Sequence, residues 1–541
     1  MADELVKVAE GSARGGFFLL SGTASATVIM AIASIVIGNL LGQDLYGQYA
    51  IALDIPLLLF LFTDLGIGQG ITKYTANFTA KGETARLARM IKYALLLKAS
   101  VGILIFAINY ALAGLFASLL QRPYLTLYIQ IASISVLFQV LSSIATSAFI
   151  GLDKTEYSAL STDIQALAKT IISITLVLLG FSVAGVMWGY TAAQAIEAIA
   201  GCLLLYLVFR GKQQSGDNGN VKKDIMTLLR YGAPLYVAVL LGGLAQPYQT
   251  IILANFALDK DVGNLQVAQN FLSLLSVLPA PIVAALLPAF AKLDSSTTQK
   301  IKTFFKAATK YATMLVIPIT ILMMTYSGEI VHVVYPSYQT AGLLLATYCL
   351  LYFLVGLGYL TLGSLYNGLG DTKSTLIITL IGFVTIIVLS PVLTQAYSVQ
   401  GMIAASIIAS TAGTIYGAFK ARRKYEIEFD MRSILKIYLN ALASIVLPIL
   451  LLYSGVIPAA VKPIIPSFLL HRLTFLPELI DLAIGATLYI LTYLTLTPLT
   501  RTMTATELET VAHITKKTKL LAFIAKPFLK YQQIIIHLTT K

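Results

Sequence analysis

Apolar runs near twenty residues long recur along this chain, separated by shorter polar stretches rich in Lys and Arg. Fourteen such runs are read at 15–40, 47–70, 90–117, 125–150, 159–180, 184–209, 231–256, 263–291, 308–327, 340–365, 373–393, 399–420, 434–454 and 478–498. Each is close to the ~20 residues that carry a helix across the hydrocarbon core of a bilayer. The pattern predicts an all-α polytopic membrane protein of about fourteen transmembrane helices. The first run is too long for the apolar core of a cleaved signal, so it reads as a retained signal anchor.

Composition removes the alternatives. Of 541 residues, 57% are hydrophobic and 12% are charged, about half the charge of a soluble domain (~25%). There is too little polar surface to coat so much apolar mass. The two cysteines, Cys202 and Cys349, lie inside apolar runs, as small buried hydrophobes do. The net charge of +13 invites a nucleic-acid partner, but its distribution argues against one. With the N-terminus in the cytoplasm, cytoplasmic segments hold 32 Lys and Arg; outer segments hold only Arg122, Lys260, Lys462 and Arg472. This is the positive-inside asymmetry of a plasma-membrane protein with both termini cytoplasmic.

The chain reads as duplicated. A shift of 216 residues lays Arg14-x-Gly16 on Arg230-x-Gly232, Gly47 on Gly263, and Ser182-Val183-x-Gly185 on Ser398-Val399-x-Gly401. Six spans per copy is an even number, so both copies share one orientation, and the two six-helix repeats are parallel. The expected domains are an N-terminal lobe (1–209), a polar linker (210–230), a C-terminal lobe (231–420), two extra C-terminal helices (421–498) and a basic cytoplasmic tail (499–541). The loop between the extra helices carries Pro458, Pro463, Pro466 and Pro477 and is expected to be extended. The tail interleaves Lys with Leu, Phe and Ile, either as a helix on an anionic membrane face or as a partly ordered topogenic segment.

Absences narrow the function. No Gly-rich phosphate loop ending in Gly-Lys-Ser/Thr is present, His and Cys are too few for a metal site, and no loop is long enough for a catalytic domain. A non-enzymatic transporter or flippase without cofactor is expected, with H⁺ or Na⁺ as a conceivable coupling ion.

Charges within spans then become the candidate chemistry, since each costs about 2.5–3.5 kcal/mol or more at the bilayer centre. They are Asp54, Asp64, Lys98, Asp163, Lys169 and Glu197, all in the first copy. Two readings stand side by side. Lys98 with Asp64, and Lys169 with Glu197, are ion pairs that join spans. Alternatively, Lys98, Lys169 and Asp54 meet substrate while Asp64 and Glu197 balance charge or carry a coupling ion. The second copy offers amides: Gln246 and Gln249, then Gln266, Gln269 and Asn270, each set on one helical face. Asn270 occupies the position equivalent to Asp54. Such stripes face protein or a water-filled cavity, so these amides are either substrate-binding or interhelical.

Leu41-Gly42-x-x-x-Tyr46-Gly47-x-Tyr49, followed by Asp64-Leu65-Gly66-x-Gly68-x-Gly70, resembles the polysaccharide-transporter branch of the multidrug/oligosaccharidyl-lipid/polysaccharide exporter superfamily. The resemblance implies two lobes and alternating access. It also implies a lipid-linked oligosaccharide, on a polyprenyl or dolichyl (di)phosphate carrier, as the substrate moved from the cytoplasmic to the outer leaflet. Lys98 and Lys169 are the residues that would meet the carrier phosphate. The bilayer is the other partner, a monomer is expected to suffice, and no nucleic acid is involved. An Na⁺- or H⁺-coupled multidrug antiporter of the same superfamily and a membrane glycan polymerase or glycosyltransferase are the competing readings.

The charge asymmetry makes a direct prediction. Single cysteines at Gln43, Asp261 and Ser467 should react with an impermeant thiol reagent applied to intact cells, whereas those at Gln214 and Thr515 should not. Labelling at position 214 from outside would overturn the topology.

Overall fold

The computed structural model of the chain describes residues 2–210, 221–277, 298–454, 476–509 except 506, and 519–539, with isolated positions between 278 and 297. Its principal helices are α1 (Ala2–Phe60), α2 (Ile67–Lys81), α3 (Thr84–Ala111), α4 (Thr126–Gly151), α5 (Thr155–Leu176), α6 (Ser182–Phe209), α7 (Val221–Phe256), α8 (Asp259–Val277), α9 (Thr298–Thr325), α10 (Ala341–Cys349), α11 (Thr372–Tyr425), α12 (Met431–Ser454), α13 (Leu476–Leu499) and α14 (Lys519–Thr539).

The all-α polytopic class stands. Among the described residues, nine helices are long and apolar enough to cross a membrane, or ten if Ala341–Leu357 and Leu362–Gly368, bent by 45°, count as one span. Three of the nine are far too long for one crossing: Gly22–Thr63, Thr155–Phe209 and Thr372–Tyr425 have 42, 55 and 54 residues, about 60–80 Å if straight. Each is interrupted by backbone outside the helical region, at Gly42 (φ 74°, ψ 171°), Ser182 (φ 49°, ψ −133°) and Ser398 (φ 52°, ψ −132°). The two serines are the positions that the 216-residue shift superposes, and they share one strained conformation that L-residues seldom adopt. A second correspondence was not legible in the apolar pattern: Gly151-Leu152-Asp153 and Gly368-Leu369-Gly370 both end a helix, with positive φ at Asp153 (59°) and Gly370 (75°).

The sequence expectation differs from the structure in three further places. The 210–230 linker is helical from Val221, where α7 begins; residues 211–220 lie outside the described residues, as do the prolines at 458, 463 and 466. The span read at 340–365 is broken: a 3-10 stretch at Leu350–Leu357 ends in Gly358 at φ 88°. The cause is a side chain set into the backbone ladder, because the Tyr438 hydroxyl donates to the Phe353 carbonyl at 2.6 Å and accepts the Gly356 N–H at 3.4 Å. The tail helix α14 packs on α13 through Tyr531 Oη and Thr495 Oγ1 (2.8 Å), and through Gln532 Nε2 donating to Thr497 Oγ1 (3.0 Å).

The chain divides into two compact units, residues 1–270 with 379–406, and residues 271–378 with 407–541. In the first, an apolar core of Ile71, Phe78, Met90, Ile144, Phe149, Leu205 and Leu228 joins α2, α3, α4, α6 and α7. Charged groups hold α7 at both ends. At its N-terminal end, Arg89 and Arg86 reach Asp224 at 2.9 and 3.4 Å. Just beyond its C-terminal end, Arg122 meets Asp259 at 2.5 Å and donates to the Ala254 and Ala257 carbonyls. Next to that clamp Gly47 and Gly263 abut, and a Cβ on either would enter the other segment's backbone, at the Asp259 or the Gln43 carbonyl.

In the second unit, Ile317, Ile321, Tyr326, Ile437, Ile445, Tyr489 and Tyr493 pack α9, α12 and α13 together. Here Asp371 acts as a clasp. It caps the start of α11, accepting Ser374 N (3.3 Å) and Ser374 Oγ (2.6 Å), and it accepts Lys424 Nζ (2.7 Å) and Tyr425 Oη (3.2 Å) from the other end of the same helix. Burial pushes the Asp371 carboxyl up, but its hydrogen bonds from Lys424 and Ser374 outweigh that and hold it down at about 2. A carboxyl whose pKa is depressed on folding stabilises above its ordinary range and loses that contribution as pH falls through the folded value. Asp371→Ala should therefore destabilise the protein by about 1–2 kcal/mol, the scale of a lost helix cap. In detergent, its melting temperature at neutral pH should fall below wild type, and the gap should narrow below about pH 4.

Candidate functional site

Lipid cannot satisfy a polar side chain, so the polar residues of the spans must find partners in protein. Most do. Lys98, on α3 and only 1% exposed, donates to Asp64 Oδ1 at 2.6 Å and to Ser143 Oγ at 2.8 Å. Asp64 Oδ1 also accepts the Gly68 N–H at 3.2 Å. The structure thus brings together one predicted pair and commits Lys98 to it. Asp163 accepts Ser25 Oγ at 2.7 Å. Gln249 is interhelical: its amide meets Ser406 Oγ at 2.8 Å and Ser390 Oγ at 3.3 Å, while Gln246, read on the same face, is exposed.

The second predicted pair does not form. Among the described residues no ion pair joins Lys169 to Glu197. Lys169, on α5, places Nζ 5.4 Å from the centre of the Tyr190 ring and lies within electrostatic reach of Tyr46. The reason is local. Tyr190, about two turns before Glu197 on α6, presents a ring face that attracts a cation, and its hydroxyl accepts Gln139 Nε2 at 2.9 Å. Glu197 remains half-buried.

Around Lys169 a polar cluster forms within the first unit. Tyr46 and Tyr49, one turn apart on α1, stack at 5.9 Å. Asn270 on α8 donates to the Tyr46 hydroxyl at 3.1 Å and accepts Gln266 Nε2 at 3.5 Å; Gln269 lies half-buried beside them in sequence. Asp54, 7% exposed, lies within reach of Tyr49 and of the Thr250 hydroxyl on α7. Its Oδ2 is buried and has no hydrogen-bond partner among the described residues. Chemically, the cluster holds a lysine beside the Tyr190 ring, a carboxyl group with a buried oxygen that meets no partner among the described residues, and phenol and amide groups from α1, α4, α6 and α8.

Of the residues singled out in the sequence, Asp54, Lys169 and Asn270 fall in this cluster, whereas Tyr46, Tyr49, Tyr190 and Gln139 were not singled out as their neighbours. The uncharged polarity assigned to the second copy is present in the first as well: Gln139, Gln165 and Gln194 are 8%, 4% and 7% exposed. An amide in the middle of an apolar run was the available signal. Among the described residues no group of His, Cys, Asp and Glu is arranged to hold a metal ion.

The pair and the cluster respond differently to mutation. Removing one partner of a buried pair strands a charge and costs about 3–5 kcal/mol, while replacing both by apolar groups is often neutral. Asp64→Leu should lower thermal stability in detergent sharply, and Lys98→Met/Asp64→Leu should recover most of it. A double variant as unstable as Asp64→Leu alone would contradict the pairing.

A family model described as "Polysaccharide biosynthesis protein" matches residues 12–294. The lipid II flippase MurJ of Bacillus subtilis (strain 168) is 23% identical over 488 residues, 81% of this chain and 88% of that protein. Among solved structures, a lipid II flippase MurJ in an inward closed conformation is similar with a TM-score of 0.68 at 15% identity, covering 87% of this chain and 98% of that one. An inward-facing multidrug resistance MATE family transporter of the MOP superfamily gives 0.62 at 14% identity, covering 74% and 94%.

Proposed function

The chain belongs to the polysaccharide biosynthesis protein family, and from that premise we propose that it is a non-enzymatic secondary transporter of the MOP superfamily that flips a lipid-linked oligosaccharide across the membrane. The observation that carries the proposal is the polar cluster around Lys169: a half-buried cation without a carboxylate partner among the described residues, beside the Tyr190 ring and within reach of Tyr46. In this reading Lys169 meets the phosphate of a polyprenyl or dolichyl carrier, and the Tyr46, Asn270 and Gln266 group borders the glycan. Lys98 serves as a structural residue. The carrier's hydrocarbon stays in lipid, since only the head needs a polar path through ~30 Å of apolar core.

Asp54 is the candidate coupling group. Its unused buried oxygen suits a proton or Na⁺, which also keeps the cation-coupled antiporter reading in view. Counting the limbs on either side of Gly42, Ser182 and Ser398 separately, together with the bent pair and α8, gives the proposed fourteen spans. They form two six-span lobes (1–209 and 231–420) joined by 210–230, with 421–498 adding two spans and 499–541 a basic tail. Both ends of the chain are cytoplasmic in this scheme, and transport runs outward by alternating access.

Reconstituted vesicles test it. The protein should move a fluorescent polyprenyl-diphosphate saccharide between leaflets without nucleotide. Lys169→Met should cut the initial rate at least about tenfold, the effect of losing ~1.4 kcal/mol of phosphate interaction, while leaving the protein monodisperse. Export of a lipophilic cation with no lipid movement would favour the antiporter, and glycan elongation in the vesicles would overturn both transport readings.

A further inference from the structure

We infer that the cavity at the N-terminal end of α7 is a binding site for a phosphate-bearing anion, separate from the Lys169 cluster. The cavity has a volume of about 690 Å³ and is lined by Lys222, Lys223, Thr227, Arg230 and the rings of Tyr74 and Tyr231, with Met226. Positions 222, 226 and 230 recur every four residues and 223, 227 and 231 follow beside them, so α7 turns one face of cations and polar groups into the cavity. From α2 the opposing wall supplies Tyr74, which meets Tyr231 edge-on at 6.0 Å. Lys73 lies over the Tyr231 ring with Nζ 3.7 Å from its centre.

Among the described residues no acid lines this space. The one carboxylate in the first turn of α7, Asp224, is turned away into Arg86 and Arg89 and is 6% exposed. Lys222 and Arg230 meet no carboxylate among the described residues, and Lys73 directs its charge to aromatic rings. Lysines and arginines needed only to fix topology have no reason to converge on a common cavity, because a loop anywhere on that face serves the positive-inside rule equally well. Like charges gathered around a concavity repel one another and focus a positive potential inside it. A multiply charged anion relieves that repulsion. Phosphate and diphosphate fit the donor set: a planar guanidinium for paired oxygens, two ammonium groups as point charges, and a hydroxyl.

The phosphate has two possible sources, a lipid headgroup or a free anion, and binding separates them. Full-length protein in detergent would be titrated with inorganic pyrophosphate and with farnesyl diphosphate by calorimetry. At least one should bind, with an affinity that falls as salt is raised. Lys222→Gln/Lys223→Gln/Arg230→Gln should weaken that binding about tenfold or more, whereas Arg230→Lys, which keeps the charge, should lose far less. Tighter binding of farnesyl diphosphate than of pyrophosphate would identify a lipid headgroup; equal binding would identify a free anion. Undiminished binding by the triple variant, or no binding of either probe to the wild type, would overturn the inference. Because the readout is equilibrium binding, it stands or falls apart from flipping: a chain that binds here but moves no lipid would refute the flippase reading and leave this one intact.

Discussion

The hydrocarbon interior offers no hydrogen bonds, and the rest of this structure follows from how its polar groups answer that constraint. Serines and threonines return hydrogen bonds to carbonyls one turn back in their own helices, as Thr170 does to Ala166 and Thr313 to Thr309. Longer polar side chains must cross to another helix, and each crossing fixes a helix pair: Lys98 ties α3 to Asp64 and α4, and Gln249 ties α7 to α11. In the second unit Asn440 on α12 reaches Thr500 and Thr502 beyond α13, at 2.7 and 3.2 Å. Helix packing in lipid gains little from hydrophobic burial between spans, so such bonds and close contacts between small residues carry much of the specificity.

The ends of α7 follow different rules from its middle. Water competes for charges at the ends of a membrane helix, so a pair there forms at lower desolvation cost and is more readily exchanged than one at mid-span. The Arg89–Asp224 and Arg122–Asp259 pairs occupy these positions, while between them α7 reaches its neighbours through uncharged groups, the Tyr236 hydroxyl donating to the Leu61 carbonyl and Tyr248 and Gln249 bonding to α11. The Gly47–Gly263 approach adds a requirement for small residues at the C-terminal clamp, since any side chain there would hold the backbones apart.

The polytopic class, the Lys98–Asp64 pair and the duplicated Ser-Val-x-Gly turns were legible in the sequence, because each is written in charge or in residues with unusual backbone tolerance. The breaks at Ser182 and Ser398 coincide with the repeated motif. The break at Gly358 was not legible, because its cause is Tyr438, distant in sequence. The Lys169–Glu197 pairing failed for a similar reason. Opposite charges at matching depth are visible along a chain, but the direction in which each side chain leaves its helix is not, and an aromatic face can serve a lysine in place of a carboxylate. The aromatic half of the cluster was hidden by abundance: with 29 tyrosines and 24 phenylalanines in the chain, no single ring stands out.

The two intramembrane lysines show what does distinguish a site in such a protein. Both sit in apolar helices of the same compact unit, and by composition they are equivalent. Lys98 is 1% exposed and has an anion and a hydroxyl within 2.8 Å, so an arriving phosphate would have to displace Asp64 to gain anything. Lys169 has the Tyr190 ring 5.4 Å away and no such anion paired with it among the described residues. An anion entering beside it would gain nearly the whole charge interaction in a medium that screens poorly. The same comparison separates Asp64, whose Oδ1 accepts two donors, from Asp54, whose Oδ2 accepts none among the described residues. Charge inside the membrane therefore marks candidates, and the unmet hydrogen-bonding capacity of each charge decides which of them is available to a ligand.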